Sequence, residues 1–94
     1  MTGFRYEWDE TKRIANRAKH GLDFGDVTHF EWRGAEVFPD PRKDYDAQRF
    51  VAYGRFAGRL CAVVFTDRGP IRRIISFRKA NRREQAAYYA RSRR

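Results

Sequence analysis

Gln48-Arg49-Phe50-Val51-Ala52-Tyr53-Gly54-Arg55-Phe56, then Ala57-Gly58, then Arg59-Leu60-Cys61-Ala62-Val63-Val64-Phe65-Thr66 is the stretch that decides the fold class. Its first run alternates. Arg49, Val51, Tyr53 and Arg55 fall on one side, and Phe50, Ala52, Gly54 and Phe56 on the other, which is the period of a half-buried strand. Ala57-Gly58 reads as a tight turn. The run Arg59–Thr66 is apolar almost throughout, as expected of a central strand covered on both faces. Asp67-Arg68-Gly69-Pro70 is a second turn, and Ile71–Arg78 a third strand, so the segment predicts a three-stranded meander.

Downstream, Asn81 with Glu84 three residues later has capping-box spacing, which starts a final helix running through Tyr88-Tyr89 into an arginine-rich end. Upstream, Gly34–Ala47 holds Pro39, Pro41 and several aspartates and reads as a long loop, pinned to the core by Val37-Phe38. Asp23 caps a short helix over Phe24–Trp32. Before it, Asp9 caps a helix from Glu10 to His20, with Trp8, Ile14, Ala15 and Ala18 as its apolar side. Gly21 stands where a left-handed residue ends such a helix, and Lys19 and His20 suit its last turn. Phe4–Trp8 alternates aromatic and charged residues and predicts a short first strand. The expected architecture is α+β: an antiparallel sheet of the N-terminal strand plus the meander, two N-terminal helices and a C-terminal helix. Ninety-four residues predict one domain, 1–94, with a modest core.

Charge narrows the function classes. The chain carries 21 Lys and Arg against 12 Asp and Glu, a net +9, and only Lys12, Lys19, Lys43 and Lys79 are lysines. Residues 1–47 have 8 basic and 10 acidic side chains; residues 48–94 have 13 and 2. A basic half of this size favours phosphates or an acidic partner. Arginine favours two-pronged phosphate contacts and stacking on bases, whereas a charge kept only for solubility predicts more lysine and an even spread. The single cysteine, Cys61, excludes a disulfide framework and fits a reducing compartment. No stretch approaches a membrane span and no secretory signal stands at the N-terminus, so a cytoplasmic protein without membrane contact is expected. His20, His29 and Cys61 are too few and too scattered for a zinc site, so neither metal nor cofactor is expected.

The candidate chemistry lies in the arginines on and after the meander. Arg49, Arg78, Arg68 and Lys79 are placed to clamp a phosphate, with Arg78-Lys79 where strand gives way to helix N-terminus. Tyr53, Arg55, Arg73, Arg82, Arg83, Tyr88 and Tyr89 are candidate RNA contacts, the tyrosines by stacking. His20 is the candidate acid/base group, because an imidazole titrates near neutrality. Each has a plainer reading. Arg78 can be part of a solvated basic face, His20 can cap carbonyls at its helix end, and at least one of the two tyrosines can pack on the sheet. Arg91, Arg93 and Arg94 read as a solvated end.

Tyr6-Glu7-Trp8-Asp9, Lys12, Asn16 and Lys19-His20-Gly21-Leu22-Asp23-Phe24 resemble the opening of the BrnT toxin family. Val37-Phe38, Asp40, Asp44-Tyr45, Gln48-Arg49, Gly54, Val63-Val64-Phe65-Thr66, Arg68, Arg73-Ile74-Ile75-Ser76 and Arg78-Lys79-Ala80 continue the pattern in order. The resemblance implies a fold like that of the RelE ribonuclease toxins and RNA cleavage that arrests growth. It also implies a ribbon-helix-helix antitoxin that masks the toxin in a two-plus-two complex. Two positions depart from the pattern. Gln48 stands where the family more often has Glu, and Phe77 replaces a small residue before Arg78-Lys79, which is expected to narrow or re-aim that corner. Two other readings fit the same residues. One is a basic module that docks RNA or the ribosome without cutting. The other is an antitoxin-binding protein with decayed catalysis.

Overall fold

A computed structural model describes residues 5–44 and 47–92; Phe4, Tyr45, Arg93 and Arg94 lie outside the described residues. Strand β1 (Arg5–Glu7) leads into helix α1 (Glu10–His20). Two 3₁₀ segments, Phe24–His29 and Trp32–Gly34, precede β2 (Glu36–Asp44), β3 (Ala47–Phe56), β4 (Arg59–Arg68) and β5 (Ile71–Lys79), and α2 (Arg82–Ser92) ends the described chain. The five strands form one sheet in the order β1-β5-β4-β3-β2.

The meander forms as its periodicity predicts. Ala57 and Gly58 both take positive φ, 51° and 78°, the conformation of the tightest hairpin turns. Leu60 through Thr66 of β4 are buried without interruption. Cys61, Val63 and Phe65 face one layer, where Ala52, Ile74 and Phe77 join Phe24, Val27 and Phe30 in the core. Gly54 is obligatory here, since a Cβ would come within 2.8 Å of the Phe30 ring. Leu60, Ala62, Val64 and Thr66 face the other layer, beneath side chains of β3 and β5.

Four expectations are corrected. The segment expected to be a loop is instead β2, paired antiparallel with β3. It is an edge strand, where proline is tolerated, and Pro41 falls in the register shift between Asp40 and Lys43. The N-terminal strand lies parallel to β5, not antiparallel, so the sheet is mixed. Its alternation marks a strand but carries no information about which neighbour it meets. The second helix is 3₁₀ rather than α: Phe24, Val27 and Phe30 recur every third residue, matching three residues per turn, and all three are buried. Finally, Ile14, Ala15 and Ala18 are exposed, Ile14 to 63%.

Helix α1 docks through a polar residue. Asp9 accepts from the backbone N–H groups of Thr11 and Lys12, and Gly21 closes the helix at φ 74°. The one buried side chain between them is Asn16. Strand β1 pairs only with Ile71–Arg73, so it stops short of Phe77 on the outer edge of β5. Asn16 covers that edge: Nδ2 donates to the Phe77 carbonyl at 2.8 Å and Oδ1 accepts from the Phe77 N–H at 3.2 Å. Nδ2 also donates to the Leu22 carbonyl at 3.2 Å. A fork from Arg13 to Asp23, at 2.7 and 3.0 Å, fastens the helix to the first 3₁₀ segment.

Phe77 itself lies fully buried, with its ring against Phe30 and Phe56. It points to the opposite face from Arg78 and fills the core, so it does not narrow the corner where Arg78 stands. Asn16→Ala strands the Phe77 N–H and carbonyl in a buried setting. It is expected to cost about 2–4 kcal/mol in urea unfolding, whereas Ile14→Ala is expected to change stability by less than about 0.5 kcal/mol.

Candidate active site

The sheet face away from the core carries the polar side chains. Period two sends Arg49, Val51 and Tyr53 of β3, Ala62 and Val64 of β4, and Ser76 and Arg78 of β5 to this side. Ala62 stands in register between Tyr53 and Arg78. Its small side chain leaves a depression that the two longer ones flank.

Glu84 enters that depression from the first turn of α2. Its Oε1 and Oε2 accept from Arg78 Nη1 and Nη2 at 2.7 and 2.8 Å, and Oε2 also accepts from the Tyr53 hydroxyl at 3.0 Å. The same carboxylate completes the capping box. It accepts from the Asn81 N–H at 2.9 Å while Asn81 Oδ1 accepts from the Glu84 N–H at 2.8 Å. The fork from Arg78 is the largest influence lowering the Glu84 carboxyl from its usual 4.5 to about 2. The same fork raises Arg78, while burial, with help from Glu84, pushes the Tyr53 phenol up.

Asp40 and Arg42 of β2 close the opposite wall of a cavity of about 270 Å³ that Tyr53, Val64, Arg78 and Glu84 also line. Arg42 folds back onto Asp40, with nitrogens 3.3 and 3.2 Å from its two carboxylate oxygens. Burial works to raise the Asp40 carboxyl, but the hydrogen bonds from Arg42 and the charges of Arg42 and Arg49 outweigh it, and the net effect is a lowering.

Arg49 lies in register with Asp40, only 15% exposed, its Nε 3.9 Å from Asp40 Oδ2. That Nε is buried and makes no hydrogen bond among the described residues. Arg49 does not line the cavity itself but stands beside Asp40, which does. Gln48 donates to the carbonyls of Asp40 and Arg49 at 3.1 and 2.7 Å. A glutamate has no N–H to make these bonds, so the departure at this position fastens the β2 bend.

His20 is one helical turn from Asn16, half-buried at the β5 edge, in a hollow with Lys19, Ile75 and Ser76. Burial lowers its pKa, and the charges of Lys19 and Arg78 lower it further. His29 is exposed on the first 3₁₀ segment.

Other expected residues are dispersed. Arg68 pairs with Ile71 at the far end of β4, six residues from Ala62 and so about 20 Å from Arg78, and it does not join a clamp there. Lys79 points to the face opposite Arg78 and offers it only a carbonyl, at 3.3 Å. Arg73 is held by Glu7 at 3.1 Å. Arg55 is exposed and donates to the Gly58 carbonyl at 3.4 Å, and Arg82 and Arg83 project from the start of α2. Tyr88 and Tyr89 meet edge to face with centroids 5.3 Å apart.

The sequence reading missed Asp40, Arg42 and the role of Glu84. For Glu84 a signal existed. A capping-box acid six residues after a strand-end arginine is free to turn back onto that arginine.

The model of a family described as the ribonuclease toxin BrnT of type II toxin–antitoxin systems matches residues 8–84. The chain belongs to the BrnT family. The family implies an RNA substrate and an antitoxin partner. No curated protein matches the chain. The matched span takes in His20, Asp40, Arg49, Tyr53 and Arg78 and ends on Glu84, so it holds the whole network above. Among the described residues no helix is long and apolar enough to cross a membrane.

In this BrnT-family chain the Arg78–Glu84 pair is expected to set acid sensitivity. Because the carboxyl sits low in the folded state, its stabilisation is complete above about pH 4.5 and is lost as pH falls toward 2. Glu84→Gln keeps a cap acceptor but breaks the fork. It should lower stability by about 1–2 kcal/mol at neutral pH and flatten the acid limb of a pH–stability curve measured by urea unfolding.

Proposed function

We propose that this chain is a metal-independent endoribonuclease that halts translation and growth, with Arg78 as its principal phosphate ligand. The supporting observation is the way Arg78 is held. Glu84 takes Nη1 and Nη2 and leaves the Nε–Nη2 edge for a second two-pronged partner, and an RNA phosphate has the matching geometry. Glu84 and Tyr53 are positioning residues: they set the guanidinium before substrate arrives, and cations fixed in advance stabilise developing charge most effectively.

The reaction is attack by an RNA 2′-oxygen on the adjacent phosphorus. The 2′-hydroxyl proton goes to a base, the bond from phosphorus to the 5′-oxygen breaks, and that oxygen takes up a proton. The products are a 2′,3′-cyclic phosphate and a 5′-hydroxyl. His20 is the base. Its lowered pKa favours the neutral, proton-accepting form, and it lies near enough to Arg78 for that charge to be felt. Arg49, buried and short of a partner for Nε, adds positive charge behind Asp40. Tyr88 or Tyr89 is the alternative proton-transfer group. The family resemblance supports a RelE-like fold, a ribbon-helix-helix antitoxin and a two-plus-two complex, and the single cysteine fits a cytoplasmic setting.

The test is a digestion of total RNA in excess EDTA. Arg78→Ala is expected to fold and to cleave at least about 100-fold more slowly than wild type. His20→Ala is expected to lose about 10²–10⁴-fold. The wild-type rate should be level near neutrality and fall below the ordinary histidine range as His20 protonates, and the His20→Ala rate should lack that fall. Wild-type cleavage by a folded Arg78→Ala variant overturns the assignment.

A further inference from the structure

Many arginines of this protein sit on carboxylates, among them Arg13 on Asp23, Arg42 on Asp40, Arg72 on Asp67, Arg73 on Glu7, Arg78 on Glu84 and Arg91 on Glu36. One end of the sheet gathers several cations that do not. Arg59 follows the β3–β4 turn, and Lys79 pairs with Cys61 two residues further along β4, so both project from the same face. Among the described residues neither forms an ion pair, and neither do Arg82 and Arg83 just beyond. The acid nearest in sequence, Glu84, is committed to Arg78. Both Lys79 and Arg59 are close enough to the buried Cys61 thiol to oppose the rise in its pKa that burial causes.

These cations border a cavity of about 290 Å³ lined by Gly58, Arg59, Leu60, Lys79, Gln85 and Tyr89, among others. Its floor is fastened by two hydrogen bonds of 3.0 Å. The Ala80 N–H donates to the Leu60 carbonyl, and Gln85 Nε2 donates to the Ala80 carbonyl. Tyr89 is 38% exposed at its margin and braced by Tyr88. Leu60 and Ala80 are buried, so the opening presents cations, an amide and one aromatic ring. A protein interface needs an apolar centre, which this surface lacks, whereas single-stranded nucleic acid is bound by cations along its backbone and a ring for its bases.

We propose that this cavity is a second RNA subsite, separate from the Arg78 site, that takes a nucleotide flanking the cleaved one. Arg59 and Lys79 hold its phosphate and Tyr89 stacks on its base. Arg78 and Lys79 are consecutive and project to opposite faces at the end of β5, so a strand passing over that end meets both. The inference rests on the ribonuclease reading above.

Its test does not depend on cleavage. Binding of a fluorescent, fully 2′-O-methylated oligonucleotide, which has no attacking hydroxyl, is followed by anisotropy across a salt series. For the Arg59→Ala/Lys79→Ala double variant, with its thermal midpoint checked against wild type, affinity is expected to fall at least about tenfold. The slope of log affinity against log salt should be shallower by about 0.7, the value for one phosphate no longer neutralised on a single strand. Tyr89→Ala is expected to weaken binding by about 5-fold or more with an unchanged slope. Wild-type affinity and slope in the double variant overturn the subsite. Intact RNA after digestion with the wild-type protein in excess EDTA, alongside the expected loss of binding in the double variant, overturns the ribonuclease reading and leaves the subsite standing.

Discussion

The side-chain amide of Asn16 is the constraint on which the arrangement turns. Strand β1 is three residues long and leaves the outer edge of β5 uncovered at Phe77. Unpaired backbone groups at a buried edge are costly, and an amide side chain is the one neutral group that offers both a donor and an acceptor in a peptide-like array. Asn16 therefore substitutes for the strand that is not there. Holding Phe77 from that side keeps the end of β5 in line, which sets the position of Arg78. Because residues four apart share a helix face, the same docking carries His20 to the β5 edge, within reach of the Arg78 charge. One polar contact thus connects the packing of α1 to the chemistry proposed for the opposite face of the sheet.

The charge imbalance between the two halves of the sequence resolves in three dimensions. Acidic residues of the first half neutralise arginines of the second: Glu7 meets Arg73, Glu36 meets Arg91, and Asp40 lies beside Arg49. Several of these pairs are partly buried, where an arginine without a partner would be strongly disfavoured. Such pairing fixes guanidinium groups in chosen orientations more than it adds stability. At the end of the sheet by the β3–β4 turn, Arg59 and Lys79 stay unneutralised among the described residues. Held arginines suit a site that must be preorganised; unneutralised cations suit a track that attracts a polyanion over distance.

Much of the fold was legible because its signals are local. The Asp9 cap, the Gly21 stop, the Ala57-Gly58 turn, the fully apolar β4 and the Asn81–Glu84 box each depend on a few adjacent residues, and each is in place. What misled the reading was also physical. Pro39 and Pro41 argue against a strand everywhere except at an edge or a bulge, and β2 is both. The apolar side assigned to α1 is exposed because the helix meets the sheet edge, where hydrogen bonds are wanted, and not the sheet face, where Ile14 would have packed. In the candidate site, period two put Arg49 and Tyr53 on one face of β3 correctly. It could not show that Arg68 shares their neighbourhood in sequence but not in space.

The sequence by itself determined the helix ends, the meander, the two-sided burial of β4 and the arginine-rich second half, because periodicity, turn chemistry and charge act over a few residues. Tertiary structure alone decided that β1 runs parallel to β5, that Asn16 seals its edge, that Glu84 bridges Arg78 and Tyr53, and that Arg59 joins Lys79 around one cavity. Those outcomes depend on which distant segments meet, and a hydrogen-bonding or charged side chain does not encode its partner until the chain has brought one within reach.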